Sequence, residues 1–278
     1  GIRPLQYPPG PMGGQLRAPG VQSLLKHVAR KADTGEQSGL CLVTTREPLT
    51  DLADFERRKG SPWGSVLRVD LGNLTDEAAA ALLHHAGANR AGAAEIKQDD
   101  KELLAASRDV DGHALTLNLL GRFLARAHGG DIRRRDLVEF EEADRTTQGG
   151  TTFKMLTAFE NWFASEGDIE ARALAILRML GLFDRPADAG CMAALRKPPI
   201  IARLTEPLFT LKRDVNTSQT IEQPLSDKAW NDATHFLSDF GLIVIQANNN
   251  ESEWLLDCHP LIREHFAKRV LKGSLSYW

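Results

Sequence analysis

Gly39-Leu-Cys-Leu-Val-Thr-Thr-Arg-Glu-Pro-Leu49 is a short apolar run that exits into two threonines and an arginine, with Pro48 removing the next backbone donor. Its length and its β-favouring residues predict a buried strand over residues 39–45. In open α/β sheets, ligands lie beyond the carboxyl ends of the strands. Thr44, Thr45 and Arg46 are therefore expected where a ligand would be met. A guanidinium at that tip suits a phosphate, and it suits a carboxylate at the sheet rim equally well.

Outward from this stretch, the bulk properties bound the class. The 278 residues are 42% hydrophobic and 26% charged, an ordinary globular composition with material for two or three cores. A net charge of -3 supplies no general attraction to nucleic acid or to an anionic membrane. Cys41, Cys191 and Cys258 lie far apart beside apolar neighbours, which predicts reduced, buried thiols and a cytoplasmic location. No run approaches the roughly 20 apolar residues of a membrane span, and no basic-then-apolar leader opens the chain.

Four prolines and four glycines make residues 1–14 a long loop. Gly10 to Gly14 is not a P-loop, because no Gly-Lys-Ser/Thr follows. Apolar positions recur at helical spacing over 21–32, a short helix is expected near 52–58, and a second strand over 66–71. This alternation predicts a parallel sheet with only two strands visible, truncated on its N-terminal side.

After Gly72 the pattern becomes helical. Helices are expected over 75–86, 99–110 and 112–127, the last with Leu115, Leu119, Leu120, Phe123 and Leu124 on one face, and a short charged segment over 133–142. Thr146-Thr-Gln-Gly-Gly-Thr-Thr152 reads as a linker. Beyond it, helices are expected over 153–165, 168–182 and 187–196, and an irregular region over 198–224. A helix over 226–240, a strand over 241–246, a turn at Asn248-Asn-Asn250, a strand over 254–257 and a final helix over 259–271 complete a wing. The expected division is an α/β portion over 1–72, a helical domain over 73–145 and a winged-helix domain over 152–278.

Three segments in this order resemble the nucleotide-binding module of STAND-class P-loop NTPases of the NB-ARC/NACHT type. Val43-Thr-Thr-Arg-Glu47 is similar to their sensor-1 strand, and Gly112-His-Ala-Leu-Thr-Leu-Asn-Leu-Leu-Gly121 to their "G-x-P-L-A-L" helix. Cys258-His-Pro-Leu-Ile-Arg-Glu-His-Phe266 resembles the bacterial form of the winged-helix "M-H-D" motif, and Gly1 to Gln6 the segment after Walker B. The resemblance implies a switch held closed by ADP and released by ATP with Mg to oligomerise and signal. On that reading Thr45 and Arg46 meet the γ-phosphate, Gly112, His113 and Ala114 border the adenine, and His259 reaches the β-phosphate of ADP. Ala114 replaces the family's proline and Pro260 the aspartate that often follows the histidine.

Walker A and Walker B are absent, so the chain alone is expected to be inactive as an ATPase and to bind nucleotide weakly. Its implied partners are the N-terminal half of the NTPase domain and the effector and repeat domains of the same protein. Plain structural readings stand beside these. His259 before Pro260 suits a helix cap, and His113 suits a helix surface. The adjacent His84 and His85 point about 100° apart and cannot share a metal as an i, i+4 pair would. Cys258 and His259, as neighbours, make no thiol dyad. Two other functions fit the layout: a winged-helix DNA-binding regulator, although Glu264 interrupts Arg263, Lys268 and Arg269 on the last helix, and a nucleotide-independent interaction scaffold.

Overall fold

The computed structural model describes residues 6–7, 10–36, 39–45, 48–57, 64–90, 96–140, 149–213, 220–247 and 254–275. They fall into two compact units, Gly1–Gly72 and Asn73–Trp278. The fold is mixed, mostly helical with small antiparallel sheets.

In the first unit, α1 (Pro19–Asp33) starts on a proline whose φ is preset for a helix, and it ends on Arg30 and Lys31, which suit the negative end of the helix dipole. It packs on a 3-10 segment, Thr50–Phe55. Asp51 joins the two by accepting from the Leu16 N–H at 2.7 Å and from Gln22 Nε2 at 2.5 Å. The buried strand expected over 39–45 is not formed. The segment has no regular structure, Leu40 and Leu42 are 96% and 86% exposed, and Cys41 is exposed as well. Leu67, Val69 and Leu71 in the second expected strand are likewise exposed. A strand holds only against a neighbour; among the described residues 39–45 joins no ladder and 66–71 is paired only by the single bridge at Val66, so β propensity has no ladder to complete. The parallel pairing that does occur is confined to isolated bridges, Glu56 with Val66 in this unit and Asn89 with Asp131 in the other.

In the second unit, α2 (Asp76–His85), α3 (Lys101–Asp109) and α4 (Ala114–Ala127) are followed by a 3-10 segment, Ile132–Val138. Thr75 caps α2 and Asp100 caps α3, each with its side chain on a backbone N–H of the first turn. Then come α5 (Gly150–Ser165), α6 (Asp168–Leu180), β1 (Ala187–Asp188), α7 (Ala189–Leu195), β2 (Phe209–Arg213), β3 (Thr220–Pro224), α8 (Asp227–Asp239), β4 (Val244–Ala247), β5 (Trp254–Asp257) and α9 (Pro260–Leu275). β5 lies between β1 and β4, antiparallel to both, so Leu256 faces Ala187 on one side and Ile245 on the other. The hairpin turn read at Asn248–Asn250 lies outside the described residues.

Burial explains the arrangement. α6 is apolar nearly all round, with Ala173 to Leu177, Met179 and Leu180 buried, and α5, α8 and α9 pack around it. Phe123 of α4 meets Phe159 of α5 edge-on at 5.2 Å, and Phe159 meets Phe240, just past α8, at 5.5 Å. This cluster runs the core straight across the division expected at Thr146–Thr152. That stretch is only partly a connection, because α5 begins at Gly150 and buries Thr151 and Thr152 in its first turn. The region read as irregular over 198–224 contains the β2–β3 hairpin, in register from Phe209 opposite Pro224 to Arg213 opposite Thr220. Of the three thiols expected to be buried, only Cys258 is; Cys191 is exposed and donates to Asp188. Among the described residues no helix is long and apolar enough to cross a membrane.

Candidate functional site

The first turn of α5 is the point where two distant segments converge. Gly112 closes the turn between α3 and α4 at φ +66°, where a Cβ would collide with the Leu74 carbonyl oxygen; only glycine fits both the space and the dihedral. This turn delivers His113 as the N-cap of α4, with Ala114 exposed as the helix's first residue. The His113 Nδ1 accepts the Thr116 backbone N–H at 3.4 Å and stands 2.9 Å from Thr116 Oγ1 and 3.3 Å from Thr152 Oγ1. Thr116 Oγ1 in turn lies 2.8 Å from Thr152 Oγ1 and 3.4 Å from Thr151 Oγ1. A backbone N–H only donates, so Nδ1 is the acceptor and the neutral ring carries its proton on Nε2. Burial holds the His113 imidazole below its ordinary value, which favours that neutral form.

The other segment arrives from β5. Gly149 caps α5 at φ +82°, and a Cβ built there would stand 2.9 Å from Leu261 Cδ2 in the first turn of α9. His259, exposed, is a cap as well: its Nδ1 accepts from the Leu261 N–H at 3.2 Å, and its carbonyl from Ile262 and Arg263 at 2.9 and 3.2 Å. Its neutral ring therefore also carries the proton on Nε2. The structural reading of His259 as a cap is correct.

Arg263 holds this turn in place. Buried at 9% exposure, it donates Nε to the Cys258 carbonyl at 3.3 Å, Nη1 to the Phe183 carbonyl at 3.4 Å and Nη2 to Asp257. Cys258 beneath it is a structural thiol, its pKa pushed up to about 11 by burial.

The chain matches no protein-family model and no curated protein.

Of the residues singled out in the sequence, Gly112, His113 and Ala114 lie at the start of α4, where His113 meets Thr152 of α5, and His259 lies at the start of α9, two residues before the Leu261 that stands against Gly149. Thr45 is exposed in the first unit, and Arg46 lies outside the described residues. Sequence reasoning missed the hydroxyl pair Thr151 and Thr152, read as linker, and the buried carboxylate of Glu160 farther along α5. Glu160 pairs with Arg178 of α6 at 3.1 Å and with Arg269 of α9 at 2.8 Å. Burial alone would raise this carboxyl; His265, Arg178 and Arg269 outweigh it and bring it down to about 2. The signal was present: Glu160 interrupts the apolar stripe of Met155, Leu156, Phe159 and Phe163, and His265 and Arg269 stand four apart on α9.

Proposed function

We propose that this chain is part of a nucleotide-dependent signalling switch of the STAND type, with ADP in the closed state and ATP with Mg in the open, oligomerising one. The observation that carries the reading is the meeting of His113 and Leu261 on one helical turn, Gly149 to Thr152. This brings together the starts of α4, α5 and α9. Helix N-termini favour anions, and an imidazole that accepts through Nδ1 carries its proton on Nε2, a group of the kind that donates to phosphate.

The order α6, β1, α7, α8, β4, β5 with β5 between β1 and β4 supports a winged helix, with β2–β3 an insertion before α8. The exposed apolar segments 39–45 and 66–71 fit strands of a parallel nucleotide-binding sheet completed by the N-terminal half of that domain. Effector and repeat domains of the same protein, acting in the cytoplasm, are the expected further partners. A DNA-binding role is disfavoured by α8, the helix that would enter a groove: it carries Asp227, Asp232 and Asp239 against Lys228 alone.

Calorimetric titration of the chain with ADP and ATP tests the proposal. Weak, saturable ADP binding without ATP turnover supports it. Absence of any nucleotide effect, with salt-sensitive DNA binding in its place, overturns it.

A further inference from the structure

Farther along α9 from His259, a cavity of about 250 Å³ is lined by Phe153, His265, Lys268 and Arg269. Its two cations are held ready. The Lys268 ammonium stands 5.0 Å from the centre of the Phe153 ring, and Glu264 pairs with it at 2.9 Å. The Arg269 guanidinium is fixed by Glu160 at 2.8 Å through Nε and by Thr157 Oγ1 at 3.4 Å through Nη2. Its Nη1 makes no hydrogen bond among the described residues. The floor is the His265 ring, stacked on Phe153 at 6.1 Å. His265 is buried to 7% exposure, and its Nε2 has no hydrogen-bond partner among the described residues, standing 3.6 Å from Glu160 Oε2.

The charges around the cavity do not cancel. Arg178, Lys268 and Arg269 face Glu160 and Glu264, leaving an excess of one positive charge before His265 is counted. The volume is below the roughly 300–1,000 Å³ of pockets for drug-sized ligands, so the fitting guest is small. We infer that this cavity between α5 and α9 binds a phosphate group, free or as a small phosphomonoester. A tetrahedral anion offers acceptors to Lys268 and to Arg269 Nη1 together, and cations already ordered lose little freedom on binding it. The Glu160 oxygen that shares Arg269 with the guest has a second partner within reach in His265 Nε2, which accounts for that nitrogen's position. This site is separate from the start of α5 and does not rest on the nucleotide reading.

The test is calorimetry and phosphorus NMR on this chain with inorganic phosphate in one arm and glycerol 3-phosphate in the other. Saturable binding at millimolar concentration or tighter is expected in at least one arm, and the stronger arm identifies the source. Lys268→Glu alters an exposed side chain and should weaken binding about tenfold or more while leaving the unfolding curve in place. His235→Ala, which alters an exposed residue of α8, should leave phosphate binding unchanged. No saturable binding in either arm overturns the inference. So does binding that survives Lys268→Glu undiminished, since that would place the anion outside this cavity.

Discussion

His113 Nδ1 and Thr152 Oγ1 stand 3.3 Å apart across the gap between α4 and α5, and this contact ties the turn at Gly112 to the helix start at Gly150. Thr116 Oγ1, 2.9 and 2.8 Å from the two, completes a buried polar triangle. Thr116 Oγ1 has one further, longer contact, to Thr151 Oγ1 at 3.4 Å, so removing one hydroxyl of the triangle leaves its neighbours short of their nearest partner. Thr152→Val should cost about 1–3 kcal/mol in urea unfolding, and Thr116→Val a similar amount. The double variant should cost less than the sum, because the second removal no longer orphans a partner.

Glycine substitutions separate space from dihedral strain. Gly112 and Gly129 both have positive φ, +66° and +58°, but a Cβ at Gly129 meets open space whereas one at Gly112 meets the Leu74 carbonyl. Gly129→Ala should cost about 1–2 kcal/mol, the left-handed penalty alone. Gly112→Ala should cost clearly more, by denaturant titration of both variants side by side.

Arg263 is the most exacting residue of the second unit. Arg263→Ala leaves the Cys258 and Phe183 carbonyls without this donor and Asp257 with only the Cys258 N–H, and should destabilise by about 3–5 kcal/mol. Arg263→Lys cannot reproduce the fork and should recover only part of that. The same packing governs the thiols. Under native conditions Cys41 should react first with an alkylating reagent. Cys191, whose thiol is raised chiefly by its hydrogen bond to Asp188, should follow, and Cys258 should react only on unfolding. Mass spectrometry of the labelled peptides gives the order.

Glu160 makes stability depend on acid. Its folded-state pKa of about 2 lies below the ordinary 4.5, so its contribution is full above about pH 4.5 and is lost as pH falls toward 2. Allowing for screening around the partly exposed Arg269, that contribution is on the order of 2 kcal/mol. Glu160→Gln should therefore be destabilised at pH 7 and should differ little from the parent near pH 2. The two stability curves against pH check it.

How much of this could be read in the sequence follows from what periodicity reports. Amphipathic helices carry their own hydrogen bonds, so α1 to α9 were legible to within a few residues from apolar spacing and caps such as Thr75 and Ser226. Strands need partners. Residues 39–45 and 66–71 have β-favouring side chains but form no ladder among the described residues beyond the single bridge at Val66, whereas β2 and β3 find each other despite a proline-rich approach. The capping role of His259 was visible beside Pro260. Thr151 and Thr152 were not legible as site residues, because a glycine–threonine run reads as linker until tertiary packing buries it in a helix.

In the proposed switch, His113 and His259 serve one anionic ligand. Nitrogen-15 NMR of the imidazole side chains during an ADP titration tests it most directly, because weak binding suffices. The account predicts that the Nε2 signals of His113 and His259 move together along one saturation curve while that of His235, exposed on α8, stays in place. Movement of neither signal, or of His259 alone with His113 unmoved, would contradict it.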